Sequence, residues 1–214
     1  MMGAPAWGLA LHSSSEVLGV ALQSLLEPET PPLIRTFPLG RRLSNDLLAC
    51  VEEVLPASRW PQLARLAVAI GPGGFTGTRL TVVMARTLAQ QLAVPLDGVS
   101  SFLLVARRLW QDGEPLPAAD PFWLLQDLPR RGVVAGAYAL DARAPGGVVE
   151  RQAPRLFAAA AAVPPGPRLP AVVEASADVA QLLVFSRAAA AAGGPAPWST
   201  VLPLYPTSPV GGEG

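Results

Sequence analysis

The stretch from Ala67 to Ala106, AVAIGPGGFTGTRLTVVMARTLAQQLAVPLDGVSSFLLVA, constrains this chain more than any other. Leu66 to Ile70 is a compact apolar run of strand length, and the glycine-rich Gly71 to Gly77 follows it as a tight turn. A helical period then runs from Thr78 to Ala93 and stops at Pro95. A short strand at Leu96 to Val99 leads into a further helix from Ser101 to Trp110. Strand, turn, helix, strand, helix is the plan of an α/β protein. Gly71, Gly73, Gly74 and Gly77 permit positive φ or close backbone approach, and Thr76 or Thr78 is placed to cap the helix.

The turn has two readings. A loop with several free amides at a helix N-terminus can hold an anion. The preferred reading is a purely structural turn. The spacing is not the dinucleotide fingerprint, because the third glycine is misplaced, and Asp97, at about the right distance for the acidic residue, belongs to the next strand element.

The helix after the turn is apolar too far round. At about 100° per residue, Leu80, Val82, Met84, Ala85, Leu88, Ala89 and Leu92 spread over roughly 200° of its circumference. Arg79, Arg86 and Gln90 form the narrow polar stripe. One reading is a central helix sandwiched within a single domain; the sharper one is a helix that meets its own sheet on one side and a partner on the other.

Composition removes most catalytic chemistry. Every basic residue is arginine, which excludes a Walker-type lysine, a kinase strand lysine and a Schiff base. His12 and Cys50 are the only residues of their kinds, too few for a zinc site of nitrogen and sulfur ligands. A Ser-His-Asp triad would have to use His12, which lies in a predicted buried strand. The formal net charge is +0 with both signs scattered, so the chain has no basic footprint for gripping nucleic acid by itself. Apolar runs such as Phe157 to Val163 fall below the ~18 residues that cross a bilayer, and Met1 to Leu11 lacks the basic start of a signal peptide. One cysteine excludes an internal disulfide and fits a reducing cytoplasm. No membrane association, no metal and no cofactor are expected.

The remaining sequence divides into two lobes, 1–110 and 111–214. In the first, Trp7 to His12, Val17 to Ser24 and Leu33 to Phe37 read as strands, followed by a helix at Leu43 to Leu55. Leu43, Leu47, Cys50, Val51, Val54 and Leu55 share one face of that helix, with Ser44 or Asn45 as its N-cap. The proline-rich segment Gln111 to Pro121 links the lobes. Phe122 to Gln126, Val133 to Leu140 and Gly147 to Gln152 read as strands of the second lobe. A short helix at Leu156 to Ala162, a strand at Ala171 to Glu174, a helix at Ala177 to Ala192 and an extended piece at Val201 to Tyr205 complete it. Three strands, helix, strand, helix, twice over, is the order of a duplicated ribonuclease-H-like unit.

GPGGFTGTRL followed by AVPLDGVSSF resembles the GPGSFTGxR…iPlxgVSSL signature of the TsaB (YeaZ) family. LALHSSSEVLGVAL is similar to that family's opening strand pair, RRLSNDLLACVEEVL to its first helix, DLPRRGVVAGAY to its DARRxxVY strand and LPLYPTSP to its terminal segment. The resemblance spans nearly the whole chain, but only Gly71 to Phe102 is distinctive alone. It implies an α/β, actin-like (Hsp70-like) ATPase fold of two ribonuclease-H-like lobes, each βββαβα. It implies a non-catalytic subunit, a degenerate paralogue of TsaD that binds and activates TsaD as it makes threonylcarbamoyladenosine on tRNA. TsaE joins the complex, the chain can self-pair as a homodimer, and tRNA is met only through the assembly. The family pairs through its first two helices, which carries over here onto Leu43, Leu47 and Cys50 of one and Leu80, Val83, Met84, Thr87 and Leu88 of the other.

This chain departs from the family at several points. His12-Ser13-Ser14 stands where the family has DTS, and histidine is no substitute for an acidic ligand to magnesium. Gly74 replaces a serine, Thr81 and Thr87 replace glycines, and Pro206-Thr207 replaces Leu-Arg. The alternatives to an accessory subunit are a stand-alone homodimeric binding protein and a residual peptidase or ATPase of the same fold. His12 reads as a packed strand residue and Cys50 as a buried small hydrophobe. Arg130-Arg131 reads as a solvated pair, with a tRNA phosphate contact as the sharper alternative.

Overall fold

The computed structural model describes residues 6–117 and 121–206. Met1 to Pro5, residues 118–120 of the expected linker and Thr207 to Gly214 lie outside the described residues. The first sheet is built from β1 (Trp7–His12), β2 (Val17–Ser24), β3 (Leu33–Pro38), β4 (Leu63–Ala69) and β5 (Leu96–Val99), in the order β3-β2-β1-β4-β5. Helix α1 (Leu43–Val54) joins β3 to β4, and α2 (Phe75–Leu92) joins β4 to β5. After α3 (Ser101–Gln111) come β6 (Phe122–Leu128), β7 (Gly132–Leu140), β8 (Val148–Phe157), β9 (Arg168–Pro170) and α4 (Ala175–Ala191). The second sheet has the order β8-β7-β6-β9. Each sheet is an antiparallel meander of three strands continued in parallel from its first strand.

The two faces of the first sheet differ in side-chain size, and that difference assigns the helices. Strand alternation places Leu9, Leu11, Leu18, Val20, Leu66 and Val68 on one face, packed with α1 and α2. The opposite face carries Ala10, Ala21, Ala67 and Ala69, packed with Val179, Leu182 and Leu183 of α4. Small residues let α4 approach closely; a β-carbon on Gly19 would come 2.5 Å from the Ala175 carbonyl oxygen. Thus α4, the last helix in the chain, returns to the first sheet. Helix α3 does the reverse, setting Phe102, Val105 and Ala106 against Phe122, Leu124, Val134 and Tyr138 of the second sheet. Each lobe contributes a helix to the other's core.

Arg108 pins α3 to the start of α4. Its guanidinium donates to Asp178 at 2.8 Å and to the Val172 carbonyl at 2.6 Å, while Asp178 also accepts from the Glu174 amide at 2.6 Å. Burial pushes the Asp178 carboxyl up and the Arg108 bond opposes that.

Several expected elements differ. The helix expected at Leu156 to Ala162 is absent: β8 runs on to Phe157, followed by a 3-10 turn at Ala160–Ala162. Five alanines between a strand and Pro164 are too few to nucleate a helix, whereas Phe157 packs edge-on against Trp123 with ring centroids 6.0 Å apart. The strand expected at Ala171 to Glu174 lies earlier, at Arg168–Pro170, although the Ala171 amide still donates to Leu125. Neither Ser44 nor Asn45 caps α1, because a 3-10 turn at Gly40–Arg42 runs straight into it and puts Arg42 at the cap position. Val201 to Tyr205 joins no ladder, but the Leu204 amide donates to the Ile70 carbonyl at 2.7 Å.

Candidate partner-binding face and the glycine turn

The glycine turn closes on the chain's own β1–β2 connection. The Gly74 amide donates to the Ser14 carbonyl at 2.9 Å, and the Ser101 amide donates to the Gly71 carbonyl at 2.7 Å. Gly73 has no room for a side chain, since a β-carbon there would overlap Ser14. At Gly77 a β-carbon would meet Leu43 and the Ser13 carbonyl at 3.0 Å. Gly71 has φ of 100°, where glycine alone is unstrained, and a β-carbon on Gly74 would meet the Ser14 carbonyl oxygen at an unstrained 3.9 Å.

Beneath the turn lies a layer of buried hydroxyls. Ser13 donates to Thr81 at 2.7 Å, Ser14 and Ser101 share a bond of 2.6 Å, and Thr78 reaches Ser14 at 3.5 Å. Thr81, which stands in place of a small glycine, is completely buried as Ser13's partner. Thr78 is therefore used inside the protein, and the residue at the N-cap of α2 is Gly74, with no side-chain bond. His12, at the end of β1, is wholly buried; its Nδ1 accepts from the Ser14 amide at 3.4 Å and its Nε2 has no partner. Burial lowers its pKa to about 4, so the ring is neutral near pH 7. Neither ring nitrogen bonds a serine hydroxyl, so His12 serves neither Ser100 nor Ser101 as a base. Among the described residues, no three His, Cys, Asp or Glu side chains cluster as a metal site would require.

Between the lobes, the glycine turn faces Gln126, Leu128, Arg131 and Val134, with the segment Pro203 to Pro206 laid across the gap. The cavity left is about 130 Å³, below the roughly 300–1,000 Å³ of ordinary ligand pockets. Arg130 has φ of 65° in the β6–β7 turn beside it.

The eight residues expected at a partner interface divide sharply. Leu43, Leu47, Cys50 and Leu88 are buried in the first lobe's own core. Leu80 and Met84 are half-buried against the same cluster. Val83 is 57% exposed and Thr87 is exposed beside it, its hydroxyl bonded to the Val83 carbonyl at 3.0 Å. Leu48 of α1, 50% exposed, is a further open apolar side chain. Sequence reasoning passed over it because it sits off the periodic stripe. The Cys50 thiol is pushed up by burial, with Asp46 and Glu53 adding to the shift, so it is an unreactive core residue.

The polar stripe of α2 is held from outside. Arg79 stacks on Tyr205, 4.5 Å above the ring centroid, and donates to its hydroxyl at 2.5 Å. Arg86 lies 5.8 Å over the Trp198 ring. No sequence signal marks contacts across such separations. Helix α2 thus runs between α1 and the C-terminal segment, showing Val83, Thr87 and Gln90 outward.

Two lobes of this strand order, each lending a helix to the other, define an actin-like protein built from ribonuclease-H-like units. The family model for TsaD, tRNA N6-adenosine threonylcarbamoyltransferase, matches residues 39–168. The chain belongs to that family, in its TsaB (YeaZ) branch. It is 31% identical over 106 residues to the tRNA threonylcarbamoyladenosine biosynthesis protein TsaB of Bacillus subtilis, covering 46% of this chain and 42% of that protein. A TsaB of Buchnera aphidicola is 35% identical over 46 residues, 22% of each chain. The matches therefore span less than half the length of these relatives. YeaZ from Pseudomonas aeruginosa has the same fold, with a TM-score of 0.72, 22% identity and coverage of 94% of this chain and 99% of that one. A further P. aeruginosa structure, a protein with similarity to peptidase YeaZ, superposes with a TM-score of 0.73 at 21% identity, covering 94% and 100%. Among the described residues, no helix is long and apolar enough to cross a membrane.

Proposed function

We propose that this chain is a non-catalytic accessory subunit in the synthesis of threonylcarbamoyladenosine on tRNA, and that it binds and activates TsaD through the outward face of α2. The observation that carries this reading is the closure of the glycine turn onto Ser13 and Ser14. An anion-binding version of this turn would present free amides and a charged strand end. Here the Gly74 amide is spent on Ser14, the hydroxyls bond one another, and His12 is buried and neutral. What the scaffold still offers outside is a helix face with Val83 open and Leu48 on the neighbouring helix. TsaE is the expected third component, and tRNA is met through the assembly.

Light scattering on the chain mixed with TsaD from the same organism tests this. A heterodimer that Val83→Asp abolishes supports the reading. A chain that stays unassociated with TsaD under every nucleotide condition overturns it, and a dimer of the chain alone would favour the stand-alone binding protein.

A further inference from the structure

The segment from Ala196 to Pro206 touches three parts of the molecule that must agree if the lobes are to hold one relative position. It starts on the edge of the first sheet, where the Leu96 amide donates to the Ala196 carbonyl at 3.0 Å. Val201 is buried in the first lobe's core, and a β-carbon on Gly98 would meet it at 2.8 Å. The Leu204 amide then donates to Ile70 at the mouth of the glycine turn, at 2.7 Å. Two residues later the Pro206 carbonyl accepts from the Leu156 amide of β8, at 3.1 Å, on the edge of the second sheet. Along this path its two aromatic residues, Trp198 and Tyr205, lie under the Arg86 and Arg79 guanidiniums of α2.

We propose that this segment is an interlobe strap that couples the outward face of α2 to the relative position of the two lobes. Its termini bond different sheets, while its aromatic residues are gripped by arginines one helical turn either side of Val83. A partner on Val83 and Thr87 covers the flank on which Arg79 and Arg86 hold the strap. Shielding those cation–π pairs from water strengthens them, fixes the strap, and so restrains the Leu156–Pro206 bond across the lobes. The coupling to a partner rests on the binding face proposed above; the hold of α2 on the strap does not.

Hydrogen exchange at single amides separates the two. In the free chain, Arg79→Ala combined with Arg86→Ala is expected to speed exchange at Leu156 and Leu204 about tenfold while Leu9 and Leu11, in the core of β1, stay unchanged. Unchanged rates at Leu156 and Leu204 overturn the strap. In the complex with TsaD, the Leu156 amide of the unsubstituted chain is expected to slow severalfold, and that of the double variant not to. A heterodimer seen by light scattering with no slowing at Leu156 also overturns the coupling. If no heterodimer forms, the binding reading has failed, and the free-chain rates alone decide whether α2 holds the strap.

Discussion

The Gly74 amide points its hydrogen at the Ser14 carbonyl, 2.9 Å away, while Gly73 beside it lies against Ser14 with no space for a β-carbon. The two adjacent glycines therefore do different work. One is required by close packing of two backbones; the other merely occupies the N-cap of α2 with φ of −55°, where a β-carbon would sit at an ordinary 3.9 Å from the Ser14 carbonyl oxygen.

Gly73→Ala is expected to destabilise the protein by more than 2 kcal/mol, about the cost of overpacking a rigid contact, since Ser14 is fixed by the hydroxyl layer. Gly74→Ser is expected to stabilise it by a few tenths of a kcal/mol, roughly the gain of a hydroxyl over glycine at an N-cap. Urea denaturation of both variants checks the pair; equal effects would show that the turn moves as a unit.

Val83→Asp changes an exposed position and is expected to shift stability by less than about 0.5 kcal/mol while abolishing TsaD binding. Met84→Glu sits half-buried against the core and is expected to lower the melting temperature as well. Only the first isolates binding from folding, and thermal melts beside light scattering distinguish them.

His12 sets a pH dependence. Its folded pKa of about 4 lies below the unfolded 6.5, so between those values the unfolded chain binds the proton and the native one does not. Stability is complete above pH 6.5 and falls as pH drops towards 4, by on the order of 3 kcal/mol in all. Denaturation midpoints of the wild type and His12→Gln across pH 4 to 7 should converge as the pH falls, because the variant lacks this slope.

The β6–β7 turn runs Leu128-Pro129-Arg130-Arg131, closed by the Arg131 amide donating to Leu128 at 2.9 Å, with Arg130 at φ of 65°. A type II turn wants glycine at that third position. Arg130→Gly is expected to raise stability by about 1 kcal/mol, read from chemical denaturation; a loss would mean that the arginine side chain is engaged.

Arg108→Met leaves Asp178 buried beside Glu174 with its strongest partner gone, and is expected to cost about 3–5 kcal/mol. The double variant Arg108→Met, Asp178→Leu is expected to recover part of that, although the Glu174 amide loses its acceptor. A double-mutant cycle by urea denaturation gives the coupling.

The sequence by itself determined the strand–turn–helix core, the βββαβα order of the first lobe and the family, because these rest on local periodicity and on a glycine turn whose chemistry is written in adjacent residues; in the second lobe it placed a helix where β8 runs on. It also located the helix whose apolar surface is too wide. Tertiary structure decided what that surface meets. Periodicity reports that Leu43, Leu47, Cys50 and Leu88 are apolar but not which neighbour buries them, and all four face their own sheet. Only the fold left Val83 and Leu48 outside, sent α4 onto the alanine face of the first sheet and α3 onto the second sheet, and laid Tyr205 on Arg79, 126 residues earlier in the chain. Contacts between residues so far apart leave no periodic trace, because they depend on how whole elements pack and not on the spacing within any one of them.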